Sequence, residues 1–124
     1  MSTVQKYEYY TLSDAQMDRW LEELRNPTVT PVQEVLVTTD RKGCIHGACA
    51  LGAVLVANPD LQKFLYPYDL DNGGEVGNTH IHVLNDNAAI WEPGETLLMV
   101  RRRIADMIDA NREYYRRALP VYSS

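Results

Sequence analysis

The run from Gly43 to Asn58, Gly-Cys-Ile-His-Gly-Ala-Cys-Ala-Leu-Gly-Ala-Val-Leu-Val-Ala-Asn, constrains the fold more than any other stretch of this chain. It is the most apolar part of the sequence and carries both cysteines and one of the three histidines. Its second half is almost wholly small or aliphatic. It reads as a buried helix, from about Ile45 to Ala57, around which other elements pack. Gly47, Ala48, Ala50, Gly52 and Ala53 present little side chain, so a neighbour can approach the backbone closely. Each glycine inside a helix costs about 1 kcal/mol relative to alanine, which implies a packing need or a ligand contact.

A chain of 124 residues is expected to form one domain, 1–124, with a core that needs no staple. The net charge of -5 argues against general nucleic-acid binding, which goes with a basic domain. The acidic residues are spread too evenly to suggest a nucleic-acid mimic, and only the C-terminal stretch is locally basic. The N-terminus has no apolar signal core, and the run Ala48–Ala57 is too short to span a bilayer. A cytoplasmic protein is the expectation. Two cysteines five residues apart suit reduced thiols better than a disulfide framework. Eight tyrosines and two tryptophans against one phenylalanine favour aromatic surfaces with one wet edge.

Val4 to Tyr10 reads as a short strand. Ser13-Asp-Ala-Gln16 has the form of a capping box, with Leu12 and Met17 as its hydrophobic staple. Met17, Trp20, Leu21 and Leu24 follow at helical spacing, and Asn26-Pro27 ends the helix. The β-branched stretch Thr28–Thr39 predicts a strand over about Gln33–Thr38, with Pro31 excluded from a central position. Asp40–Gly43 is a turn. A short helix follows Asp60, from Leu61 to Leu65, and Tyr66–Asn78 is a turn-rich loop. Thr79–Leu84 alternates and reads as a strand, followed by a turn at Asn85–Asn87. A last helix is expected after Pro93, running to about Leu119.

Three pieces stand in order: Cys49-Ala-Leu-Gly-Ala-Val54, Leu84-Asn-Asp86, and a helix with Leu98 and Ile104-Ala-Asp106. Together they resemble a loosely defined group of small bacterial and bacteriophage proteins. In that group a Cys-X-X-Gly-Ala/Val-Leu helix precedes a Leu-Asn-Asp or Trp-Asn-Asp turn and a C-terminal amphipathic helix. The likeness covers Gly43–Asp109, about half the chain, and Val54 stands where the group tends to have leucine. The group carries no established activity. The resemblance implies a shared fold and a phage or mobile-element setting, in which many small acidic proteins act by binding a host protein, inhibitors of CRISPR and other defence systems among them.

All the cysteines and histidines lie in two short pieces, Cys44-Ile-His46-Gly-Ala-Cys49 and His80-Ile-His82. Cys44, Cys49, His80 and His82 form the candidate metal set, although neither piece has the usual zinc-ligand spacing. On a regular helix five residues turn about 500°, so Cys44 and Cys49 would point apart. Cys44 is alternatively a candidate nucleophile, with His46 or His82 as base and Asn85 or Asp86 as orienting group. His46, Cys49, His82, Asn85 and Asp86 are the candidate lining of a small-molecule pocket. Asn85 and Asp86 in such a turn more often satisfy their own backbone than line a ligand site. Arg101, Arg102 and Arg103 fan around their helix, whereas Arg112, Tyr115 and Arg116 form an interaction face. No phosphate-binding glycine loop is present.

The sequence therefore predicts an α+β fold, a mostly helical single domain with a small antiparallel sheet. The expected role is non-catalytic binding of a host or partner protein, with no cofactor and no membrane or nucleic-acid partner. A second copy of the chain is a further candidate partner. The contact surfaces expected are the tyrosine-rich ends, Tyr66 and Tyr68 in the loop, and Arg112, Tyr115 and Arg116. A small cysteine/histidine enzyme, a zinc-binding domain and a small-molecule sequestering protein are the alternatives.

Overall fold

A computed structural model describes residues 7–64 and 79–122. The expected class is observed: five helices dominate, accompanied by small sheets. β1 (Tyr7–Tyr10) pairs antiparallel with β5 (Leu119–Tyr122), so the two ends of the chain form one ribbon. β2 (Thr30–Pro31), β3 (Val37–Thr39) and β4 (Ile45–Ala48) make a three-stranded sheet in the order β2-β4-β3. That sheet is mixed: β3 runs antiparallel to β4, and β2 runs parallel to it. Pro31 lies on the edge strand, where its missing N–H removes no ladder bond from a central position.

α1 (Asp14–Arg25) begins as its sequence requires. The Gln16 amide donates to Ser13 Oγ (3.2 Å), and the Ser13 amide donates to Gln16 Oε1 (2.8 Å). Its apolar stripe of Met17, Trp20, Leu21 and Leu24 is buried against α2 (Ala53–Ala57) and α4 (Leu97–Ala110). Val100, Ile104, Ala105 and Ile108 supply the α4 side of the same core, and α5 (Arg112–Tyr115) adds Tyr115.

The expected helix over Ile45–Ala57 is not formed. Ile45–Ala48 is the central strand β4, a tight turn follows, and only Ala53–Ala57 is helical. Gly47 gives the reason. A Cβ there would collide with Thr38 Oγ1 and stand 3.0 Å from Val32 Cγ1, so the small residue admits two flanking strands. Pairing on both edges of Ile45–Ala48 outweighs a weak helical preference. Pro59–Phe64 is a 3-10 helix where a short helix from Leu61 is expected.

Thr79–Leu84 is likewise not a strand but the first part of α3 (Thr79–Asp86). Six alternating residues fit either period. Ile81 and Asn85, one helical turn apart, are both buried, and the structure thereby selects the longer period. The strand expected over Gln33–Thr38 starts only at Val37, because Glu34 has a φ of 70° and bends the chain. α4 begins at Leu97, capped by Thr96, rather than at Pro93. The last helix is also interrupted. The Asn111 side chain donates to Met107 O (3.0 Å), α4 ends, and the chain beyond Ala118 turns into β5.

Candidate functional site

The turn Ala48–Gly52 lies at the centre of the fold, and side chains from three helices converge on its backbone. From α1, Trp20 Nε1 donates to Ala50 O (2.9 Å). From α3, Asn85 Oδ1 accepts from the Ala50 amide (3.1 Å). From α4, Arg101 Nη1 donates to Ala48 O (2.8 Å). The Cys49 amide donates to Leu36 O (2.9 Å), and the Val32 amide reaches Ala48 O (3.1 Å). A turn buried this deeply needs internal partners for its peptide groups, and these bonds supply them for the Ala48 and Ala50 carbonyls and the Cys49 and Ala50 amides. Gly52 completes the junction: a Cβ on it would overlap the Leu36 carbonyl, with the carbonyl carbon 2.9 Å away.

Cys49 sits inside this turn, buried, with its Sγ accepting from the Gly52 amide (3.4 Å). Burial pushes its thiol pKa up and nearby Asp86 adds to the rise. The amides of Gly52 and Leu51 and the charge of Arg101 oppose it. Arg101 is fully buried. Burial pulls its pKa down, against the stabilising charges of Cys49 and Glu23. Among the described residues its Nε and Nη2 have no hydrogen-bond partner. Glu23, buried on α1, is occupied by the Thr28 amide (2.6 Å) and hydroxyl (2.7 Å).

Asn85 and Asp86 fasten the Val32–Leu36 bend onto the end of α3. Asn85 Nδ2 donates to Val32 O (3.0 Å). The Glu34 amide donates to Asp86 Oδ1 (2.9 Å), and Gln33 Nε2 donates to Asn85 O (3.1 Å). Neither residue merely closes its own turn; both tie together segments about fifty positions apart in the chain. His82 Nδ1 lies 3.9 Å from Asp86 Oδ2. Thus His82, Asn85 and Asp86 do share one region, and Asn85 joins it to the Cys49 turn. His46 is exposed on β4, with Nδ1 3.4 Å from Thr38 Oγ1. Cys44 is exposed in the Asp40 turn, where its amide donates to Asp40 Oδ1 (2.9 Å). Among the described residues no three or more His, Cys, Asp or Glu side chains are grouped to hold a metal ion, so Cys44, Cys49, His80 and His82 are not brought together.

Tyr66 and Tyr68 lie outside the described residues. Tyr115 is buried in the core, and its neighbour Tyr114 carries the exposed ring, 4.9 Å away and edge-on. Arg112 binds Asp18 (2.7 Å) and Asp109 (2.9 Å). Arg116 binds Asp14 (2.7 Å), Glu113 (3.0 Å) and Leu12 O (2.8 Å). These arginines join α5 to α1. The sequence reading missed Arg101 as a core residue. The signal was there: Arg101 precedes Ile104 by three and Ala105 by four, on the buried stripe of α4.

Around the end of α3 the surface changes character. Val35, Val83 and Ile90 each remain close to half exposed (46, 45 and 46%). Val83 lies one turn before Asp86, which holds the amide next to Val35. Ile90 ends the 3-10 turn Ala88–Ile90 that directly follows α3. No helix among the described residues is long and apolar enough to cross a membrane. Set against protein-family models, curated proteins and solved structures, the chain matches none of the three.

Proposed function

We propose that this chain is a small non-catalytic binding protein that acts by docking on another protein. In the phage or mobile-element setting suggested by the resemblance, that protein belongs to the host, for example a component of a CRISPR or other defence system. The observation that carries the reading is the partly exposed apolar set Val35, Val83 and Ile90, held on a rigid junction at the end of α3. Aliphatic side chains exposed on segments that are fastened together give a partner apolar surface to bury. The polar groups around Cys49 support the same reading, since they are bound to backbone.

The test is affinity capture from a bacterial lysate with mass spectrometry, comparing the native protein with a Val83→Asp/Ile90→Asp variant of unchanged circular dichroism. One dominant stoichiometric protein, retained by the native chain and lost by the variant, is the expected result. Equal capture by both, or capture of nothing by either, overturns the proposal.

A further inference from the structure

The carboxylates are spread along the chain, but the cations are not. No Lys or Arg occurs between Arg25 and Arg41, nor between Lys63 and Arg101. The fold joins parts of these two cation-free stretches. The bend Val32–Leu36 comes from the first, and α3 with its following turn comes from the second. They are fastened through Asn85 and Asp86. The segments so joined carry the exposed side chains Val35, Val83 and Ile90, with exposed Glu34 next to Val35 in the chain and exposed Glu92 two residues beyond Ile90. No ion pair among the described residues involves Glu34 or Glu92. Elsewhere Arg25, Arg112 and Arg116 each hold a carboxylate, and Arg103 holds the Glu95 Oε1 that also accepts from the Glu92 amide.

Two further features separate this surface from an incidental one. Glu34 has a φ of 70°, a conformation that L side chains disfavour, and the Asp86 carboxylate holds it there. Like Glu92, the strained residue has a carboxylate with no ion pair among the described residues, and it directly precedes exposed Val35. The patch is also supported from beneath rather than by a loose loop: Trp91 Nε1 donates to Leu84 O (2.6 Å), locking the turn after α3 onto the helix.

We infer that this face takes a cationic, amphipathic protein surface: apolar side chains that cover Val35, Val83 and Ile90, flanked by Lys or Arg that meet Glu34 and Glu92. The inference rests on the proposed binding role and names the chemistry of the partner. Charge complementarity at the rim steers encounter and rejects acidic competitors, while the apolar centre supplies the burial.

The experiment uses the full chain, a synthetic helical peptide of leucine and lysine, and its leucine–glutamate counterpart as probes. Binding is followed by calorimetry and by amide chemical-shift mapping. The lysine peptide is expected to bind, with shifts confined to residues 32–36 and 79–92. A Glu34→Lys/Glu92→Lys variant is expected to weaken it about tenfold, and raising the salt concentration to weaken it further. Val83→Ser is expected to weaken it without changing the salt dependence. Equal binding of both peptides, shifts centred on Asp14, Asp18 and Glu113, or indifference to the Glu34/Glu92 reversal each overturns the inference. The same charge reversal separates this result from the broader proposal. A lysate partner lost on Val83→Asp/Ile90→Asp but retained at full affinity after reversal leaves the binding role intact and refutes the cationic partner.

Discussion

Replacing Arg101 by methionine should stabilise this protein, although Arg101 is fully buried and hydrogen-bonded. Methionine keeps most of the aliphatic volume and removes the charge. What is lost is the bond from Nη1 to Ala48 O, about 1.5–3 kcal/mol for a charged donor. Ala48 O is not orphaned, because the Val32 amide still donates to it (3.1 Å). What is relieved is larger. Nε and Nη2 are buried without acceptors, at about 1–3 kcal/mol each, and the desolvation of the guanidinium itself is removed. Glu23 loses a favourable charge nearby but keeps both hydrogen bonds from Thr28. The balance favours methionine by about 1–2 kcal/mol, or roughly 4–8 °C in Tm for a chain of this length. Arg101→Ala removes the same charge but opens a cavity, and should cost about 2–4 kcal/mol. Urea denaturation of the three proteins measures both effects. Arg101→Met destabilised by more than about 1 kcal/mol, with an unchanged m-value, would refute the reasoning and make the buried charge a net support of the turn.

Gly52→Ala should cost about 2–4 kcal/mol, because its Cβ displaces the Leu36 carbonyl that accepts from the Cys49 amide; Gly94→Ala, strained at φ 82° but sterically open, should cost only about 1 kcal/mol. Denaturant midpoints decide between them, and equal losses would remove close approach as the reason for Gly52. Thiol titration with a chromogenic disulfide should label Cys44 at once and Cys49 only on unfolding, since Cys49 is buried with its pKa raised; two fast thiols would contradict the packing of the turn. The hydrogen bond from Arg116 to Asp14 holds that carboxyl below its ordinary value, so its contribution is present above the ordinary carboxylate range and lost as pH falls through the lowered value. The stability difference between the native chain and Asp14→Asn, followed by thermal melts, should therefore shrink on acidification; a difference that grows would reverse the assignment.

Much of this protein was legible along the chain. The capping box at Ser13, the stripe from Met17 to Leu24 and the stop at Asn26-Pro27 depend on neighbours within a few positions. Local chemistry decides such features, and the sequence carries it directly. The predominance of helix, and the centrality of Cys49–Val54, followed from the same patterns. What only the tertiary structure decided is how that central run is used. A partner on each edge makes Ile45–Ala48 a strand, and those partners lie up to about seventeen residues away, outside any local pattern. Six alternating residues at Thr79–Leu84 suit two periods equally, and contact with α4 selects the helix. Most of all, helical spacing puts Arg101 in register with Ile104 and Ala105, but it does not say what that side chain meets. Only the arrival of α4 beside the Ala48–Gly52 turn buries Arg101, while Arg102 stays at the surface and Arg103 turns to Glu95. A side chain's environment is the sum of elements brought from far apart in the chain, and no window of sequence contains it.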